Sequence, residues 1–182
     1  PVDLSQFHVS NKQKNYFLTG GRLVAYKRFD LVVEAANKTG LPLKIFGSGP
    51  VEKDLRKTAK SNIHFLGKVS NEQRAGLFSN AIAFIHPQEE DFGITPVESM
   101  ASGRPVIAYN KGGATETVIN GVTGELFDEQ SWEELADHMI RFDHYKYNPN
   151  RIKQHAAKFS KDHFKQKLRS FVQRQWEAYE HT

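Results

Sequence analysis

Cysteine is absent from this sequence of 182 residues, so disulfide bonds and thiolate metal sites are excluded. Long apolar runs are absent as well: no stretch approaches the roughly 20 residues that a membrane-spanning helix needs. Eight histidines occur, but none has the spacing of a metal-binding pair such as His-x-x-x-His. A chain without cysteine is typical of a reducing compartment, and we expect a cytoplasmic protein.

What the sequence does contain is the composition of one globular domain. Hydrophobic residues make up 38% and charged residues 25%, which is ordinary for a folded chain of this length. The formal net charge of +4 suits anionic ligands such as nucleotides, phosphates, acidic lipids or nucleic acid. Lysine and arginine are dispersed and no nucleic-acid-binding motif occurs, so we expect no nucleic-acid partner.

Short apolar runs alternate with helical patterns along the chain. Glycines 20 and 21 are expected to close the first strand. The predicted strands are 16–19, 43–46, 63–66, 81–85, 105–109 and 124–127. Helical spacing predicts helices over 29–36, 72–79, 96–101 and 132–141, with a polar helix through Leu55. This alternation predicts an α/β fold with a Rossmann-like parallel sheet and helices on both faces.

The C-terminal part lacks this alternation of strands and helices. Residues 143–150 resemble a surface loop, and one long helix is expected from Ser160 onward. Its apolar stripe consists of Phe164, Leu168, Phe171, Val172, Trp176 and Tyr179. This spacing favours packing on the sheet domain, and the alternative is that the stripe faces a partner lobe or a membrane.

The segment 89–101 carries the strongest functional signal. Gly93 allows a tight turn, Thr95 is expected to be the N-cap, and Pro96 suits the first helical position. Amides at the start of this helix would attract phosphate, while Glu90 and Glu98 could accept hydrogen bonds from sugar hydroxyls. Two alternatives remain open: a capping box between Thr95 and Glu98, and a solvated acidic turn or hard-metal site at 89–91.

Glu90 and Glu98, with seven residues between them, resemble the E-x7-E motif of glycosyltransferase family 4, whose members have the two-lobed GT-B fold. Further segments resemble other blocks of that family in the same order. They are 21–30, 46–50, 65–67, 103–108, 112–116 and 120–124. The resemblance therefore covers about residues 16–142.

The resemblance implies a role for each matching residue. Arg22 and Lys27 would bind the donor diphosphate and stabilise the leaving group, and Glu90 would contact the transferred sugar. Glu98 would hold the ribose, and residues 47, 48, 68 and 69 would border the base. The complete implied nucleotide-sugar-binding set is Gly21, Gly47, Ser48, Lys68, Val69, Asp91, Phe92, Gly93, Ile94, Thr95 and Glu98.

The family further implies a retaining, metal-independent transferase, and no Asp-x-Asp triplet occurs in this chain. Asp91, within Glu-Asp-Phe-Gly, resembles mannosyltransferases of the WbaZ type, which favours GDP-mannose and leaves a UDP-sugar open. No cofactor beyond this donor is expected. The resemblance also predicts a linker over 1–15 from a missing N-terminal acceptor lobe, a nucleotide-sugar-binding domain over 16–142 and a helical extension over 143–182.

Without the acceptor lobe, the chain is expected to bind nucleotide but not to transfer sugar. A lipid-linked acceptor would place the enzyme peripherally at the inner face of the membrane. The alternatives are a nucleotide-sugar epimerase of GT-B fold and a non-catalytic nucleotide-sugar-binding module.

Overall fold

A six-stranded parallel sheet forms the centre of the chain in a computed structural model that describes residues 1–12 and 15–180. The strands are β1 (Phe17–Arg22), β2 (Leu43–Ser48), β3 (Ile63–Gly67), β4 (Phe84–His86), β5 (Val106–Tyr109) and β6 (Gly124–Phe127). Their order is β3-β2-β1-β4-β5-β6, and every neighbouring pair is parallel. The predicted fold class is confirmed.

Helices cover both faces of the sheet. They are α1 (Phe29–Thr39), α2 (Glu52–Thr58), α3 (Asn71–Asn80), α4 (Ile94–Ala101), α5 (Ala114–Thr117), α6 (Trp132–Arg141), α7 (Pro149–Ala156) and α8 (Lys161–Glu180). Successive β1 residues point to opposite faces, so Phe17 joins the core beneath α1 and α6, while Leu18 joins the core beneath α3 and α4. Burial on both faces explains why a central strand such as β5 is apolar at every position.

Strands β1 and β2 extend two or more residues further at their carboxyl ends than the sequence predicted. Gly20 and Gly21 do not close β1 but pair in register with Phe46 and Gly47 of β2. A side chain at Gly47 would collide with the carbonyl of Gly21, so glycine permits the two strands to continue side by side. A double glycine is a turn signal when read alone, and this tertiary contact overrides it.

Helix α4 begins earlier than predicted. Gly93 is its N-cap, in the left-handed region with φ of 81°, and no side chain caps the helix. Thr95 is therefore inside the first turn and not the N-cap, and Pro96 is the third helical residue instead of the first. Proline is tolerated there because the amides of a first turn lack intrahelical partners.

The region predicted as a surface loop over 143–150 is partly helical. A 3₁₀ turn spans His144–Lys146, the Tyr147 side chain is buried, and α7 starts directly afterwards. The Asn148 side chain accepts hydrogen bonds from the amides of residues 150 and 151, and Pro149 occupies the first helical position. The loop prediction overlooked this Asn-Pro helix start.

Helix α8 does not pack on the sheet domain, contrary to the favoured interpretation of its stripe. Phe164 is 47% exposed, Trp176 61% and Tyr179 76%, and none of the helix's residues is buried. Its first turn is held by Lys161, whose Nζ lies 3.1 Å from Asp3 Oδ2 and whose amide donates to the carbonyl of Val2. Among residues 1–12 and 15–180, no helix combines the length and apolarity that crossing a bilayer requires.

The N-terminal residues pack on the same core as α4 and α7. Val2 and Phe7 are buried, and the amide of Val2 donates to the carbonyl of Phe159. Parts of the predicted linker and extension, residues 13–14 and 181–182, lie outside the described residues. The three-part division of the chain stays a prediction.

Candidate functional site

The sheet order places a crevice between β1 and β4. The chain moves outward from β1 in one direction and from β4 in the other, so the connections after these strands leave on opposite faces. In open parallel sheets, ligands bind at such a switch point, beyond the carboxyl ends of the strands. Here β1 ends at Arg22 and β4 at His86.

A cavity of about 470 Å³ opens at this edge. It is lined by Tyr26, Lys27, Glu89, Glu90, Asp91, Phe92, Gly93, Ile94 and Thr95. The cavity thus unites one predicted diphosphate-binding cation, one predicted sugar-binding carboxylate and the start of α4.

Lys27 and Glu90 form the central ion pair of this cavity. The Lys27 Nζ lies 2.6 Å from Glu90 Oε1, and their side chains are 15% and 20% exposed. Burial favours a raised pKa for Glu90, but the hydrogen bond and charge of Lys27 and the proximity of His86 outweigh it and lower the pKa below 4.5. Glu90 is therefore a carboxylate at neutral pH, and it neutralises the charge of Lys27.

His86 forms the floor beneath this pair. Its Nε2 lies 4.0 Å from Glu90 Oε2, and its buried Nδ1 has no hydrogen-bond partner among the described residues. Burial lowers the pKa of His86 to about 4, so the imidazole is neutral at pH 7. Sequence analysis assigned no role to this histidine, although it precedes Glu90 by only four positions.

The loop after β5 fixes the loop that carries Glu90. The amide of Gly113 donates to the carbonyl of Glu90 at 2.7 Å, and a side chain at Gly112 would collide with that same carbonyl. This contact gives a structural reason for the glycines of the 112–116 segment. It also fixes the backbone from which the Glu90 side chain extends.

The start of α4 supplies the positive end of a helix dipole to the cavity. The backbone amides of residues 94 and 95 belong to the first turn, where N–H groups have no intrahelical partner. Phe92 anchors the preceding loop by edge-to-face packing on Phe159, with ring centroids 6.0 Å apart. Asp91 is exposed at the cavity wall.

Glu98 lies deeper and does not line the cavity of Lys27. Its residue is 3% exposed, and its Oε1 accepts an ion-pair contact from Arg74 Nη2 at 3.1 Å. Burial raises the pKa of Glu98 to about 7, although Arg74 opposes the rise. No side chain caps α4, so the capping-box alternative with Thr95 is wrong.

The remaining predicted residues surround this cavity at different distances. Gly21 lies against Lys27, since a Cβ there would be 3.8 Å from the Lys27 Nζ. Gly47 and Ser48 pair with Gly21 and Arg22 at the ends of β1 and β2. The Arg22 side chain is exposed at the end of β1 and is not among those lining the cavity.

Lys68 and Val69 line a separate cavity of about 390 Å³ along α3. The described structure therefore does not bring them to the Lys27 cavity. A larger cavity of about 640 Å³ lies between α1 and α2 and contains none of the predicted residues. No cluster of three or more metal-ligating side chains occurs in the ranges 1–12 and 15–180.

Two further residues of the site were missed by sequence analysis. Tyr26 lines the cavity, and its hydroxyl donates to Glu90 Oε1 at 3.4 Å. Arg74 of α3 pairs with Glu98 of α4, which lies 24 positions further along the chain. The first could have been found from its place next to Lys27, whereas no local pattern indicates the second.

Comparisons with known proteins point to one family. The family model described as "Glycosyl transferases group 1" matches residues 3–159. D-rhamnosyltransferase WbpZ of Pseudomonas aeruginosa is 32% identical over 117 residues, covering 60% of this chain and 31% of that protein. O-antigen chain mannosyltransferase C of Escherichia coli is 28% identical over 162 residues, covering 82% of this chain and 44% of that protein.

Among solved structures, HepE of Anabaena in complex with UDP is similar in fold, with a TM-score of 0.81 and 19% identity. The similarity covers 94% of this chain and 55% of that one. The chain spans less than half the length of these two curated relatives.

Proposed function

Because the chain belongs to the glycosyl transferases group 1 family, we propose that it is the nucleotide-sugar-binding lobe of a retaining glycosyltransferase. The observation that carries the proposal is the Lys27–Glu90 pair, 2.6 Å apart and in one cavity with the start of α4. A lysine, first-turn amides and a carboxylate together complement a diphosphate that is joined to a sugar.

Lys27 and the first turn of α4 would bind the donor diphosphate. Breaking the glycosidic bond leaves additional negative charge on that diphosphate, and fixed positive charge stabilises it at the transition state. Arg22 is exposed at the end of β1 and would supply a second cation once a ligand is present. Phosphate would compete with Glu90 for Lys27.

Glu90 would turn to the sugar when phosphate takes Lys27. As an ionised carboxylate it accepts hydrogen bonds from sugar hydroxyls, and the neutral imidazole of His86 beneath it adds no competing charge. In the retaining mechanism implied by the family, the leaving phosphate takes the acceptor proton on the same face of the sugar. No cofactor besides the donor is then required.

GDP-mannose is the proposed donor. The similarity to O-antigen chain mannosyltransferase C supports a mannosyl donor, and exposed Asp91 at the cavity wall is available to select sugar hydroxyls. HepE was solved with UDP, so UDP-sugars belong in the same experiment.

The acceptor would bind to a second lobe that this chain does not contain. The exposed stripe of α8 offers an apolar surface for that lobe. We expect the isolated chain to bind donor without transferring sugar, and the full enzyme to work in the cytoplasm at the membrane's inner face.

Calorimetric titration with GDP, UDP, GDP-mannose and UDP-glucose tests the proposal. We expect one nucleoside diphosphate to bind, and Arg22→Ala or Lys27→Ala to weaken it roughly 10- to 100-fold through loss of a charged contact. Lys57→Ala, which removes an exposed pair with Asp54 of similar length (2.7 Å), is the matched control. Failure of all four ligands to bind would contradict the proposal.

A further inference from the structure

Arg74 and Glu98 form an ion pair between α3 and α4. The Arg74 side chain is 31% exposed and that of Glu98 only 4%, so the arginine reaches inward from the surface to a buried carboxylate. The contact joins Nη2 to Oε1 at 3.1 Å. A buried carboxylate without a cation nearby would destabilise the fold. This cost explains why an arginine lies beside Glu98, but it does not explain the geometry of the contact.

The pair is incomplete in a specific way. Arg74 Nε and Glu98 Oε2 are both buried, and neither has a hydrogen-bond partner within residues 1–12 and 15–180. A side-on bidentate arginine–carboxylate pair would use these two atoms for its second bond. One donor and one acceptor are therefore left unsatisfied, each at a cost that proteins seldom accept.

A hydroxyl group satisfies both atoms, because it accepts from an N–H and donates to a carboxylate oxygen at once. The pair is also carried by the two helices that border the proposed nucleotide site. Helix α3 follows the loop of Lys68 and Val69, and Glu98 is one turn beyond the start of α4. The loop of Lys68 and Val69 is the proposed base site, and the start of α4 is the proposed diphosphate site. In a nucleotide, the ribose connects the base to the diphosphate.

We propose that Arg74 is a ribose-recognising and positioning residue, which donates from Nε to a ribose hydroxyl while Nη2 holds Glu98 in place to accept from the same diol. This inference rests on the proposed function. It assigns to Arg74 a share in selecting ribonucleotides that neither the family resemblance nor the sequence pattern gives it. The raised pKa of Glu98 agrees with this inference. The charge of Arg74 lowers that pKa and so limits the rise that burial causes.

The test compares the nucleoside diphosphate that binds best with its 2′,3′-dideoxy form, by calorimetry on the whole chain. In the wild-type protein we expect the ribo form to bind at least about tenfold more tightly. Arg74→Leu should weaken the ribo form by about tenfold and leave the dideoxy form nearly unchanged, so that the preference disappears. Arg74→Lys keeps the charge beside Glu98 and should retain part of the preference.

Arg141→Leu, which removes an exposed pair with Asp137 at 2.9 Å, is the control and should change neither affinity. An equal loss for both ligands in Arg74→Leu, or an unchanged preference in Arg74→Lys and Arg74→Leu, would overturn the inference. If Arg74→Leu does not fold, Arg74→Lys alone decides: an undiminished preference overturns the inference and a reduced one supports it. Absence of any nucleotide binding by the wild type would instead reject the proposed function itself.

Discussion

The Lys27 ammonium lies 2.6 Å from Glu90 Oε1, although 63 positions separate the two residues in sequence. A donor would compete for each of these two side chains with the other. Lys27 is neutralised by Glu90, and Glu90 is occupied by Lys27 and by the hydroxyl of Tyr26. A nucleotide-sugar would separate them, with the diphosphate on the lysine and the sugar on the carboxylate.

Glu90→Gln should therefore increase the affinity for a nucleoside diphosphate that carries no sugar. The substitution removes negative charge near the phosphate and releases Lys27, which favours the anion by several-fold. Glu89→Gln, an exposed neighbour with the same change of charge, is the control and should have a smaller effect. Calorimetry measures both, and an affinity that falls in Glu90→Gln would show that the two residues do not compete as described.

His86 and Glu98 should change the stability of the fold in opposite directions as the pH rises. The pKa of His86 in the folded chain is about 4, below its ordinary 6.5, so its contribution to stability is present above pH 6.5 and is lost toward pH 4. The pKa of Glu98 is about 7, above 4.5, so its contribution is present below pH 4.5 and is lost as the pH rises to 7. Between pH 4.5 and 6.5 the two slopes largely cancel.

Glu98→Gln separates them, because glutamine keeps the size of the side chain but cannot ionise. We expect the free energy of unfolding of this variant, measured in urea, to rise more steeply than that of the wild type from pH 4.5 to 7. The difference should reach about 3 kcal/mol, as the interval from 4.5 to about 7 implies. Glu116→Gln, at an exposed position, is the control; parallel curves for Glu98→Gln and wild type would contradict the burial of this carboxyl.

Two glycines should respond oppositely to alanine. Gly76 lies within α3 with open space beside it, so Gly76→Ala should stabilise the fold by about 0.5 to 1 kcal/mol. Gly47 has φ of 102° and lies against the carbonyl of Gly21, so Gly47→Ala should destabilise it by about 2 kcal/mol or more. Urea unfolding of both variants checks the close approach of β1 and β2, and a neutral Gly47→Ala would exclude it.

Removing most of α8 should leave the domain stable. None of its residues is buried, and its contact through Lys161 lies in the first turn. A chain ending at His163 should unfold within about 0.5 kcal/mol of the complete chain, as expected when only exposed side chains are lost. A loss of several kcal/mol would mean that the stripe packs on this domain after all.

The sequence predicted the layers of this fold better than their details. Alternating apolar runs fixed the parallel sheet, because doubly covered strands such as β5 are apolar at every position. One error came from a tertiary contact, since Gly20 and Gly21 continue a strand by pairing with β2. Another was local, since Gly93 caps α4 ahead of Thr95.

The same limit applies to the site. Motif resemblance identified Lys27 and Glu90, which share one cavity, but the sequence gives no indication that Arg74 contacts Glu98. Such pairs depend on how helices and strand ends meet in space. They can be recognised only once the sheet order and the placement of α3 and α4 are known.

Locating a bound nucleoside diphosphate is the most direct test of the account. Amide chemical-shift mapping during titration with GDP and UDP, or a crystal soaked with either, would show where the phosphates lie. We predict that they contact Lys27 and the first turn of α4, beyond the ends of β1 and β4. A nucleotide that settles instead in the larger cavity between α1 and α2, or away from Lys27 altogether, would contradict the central claim.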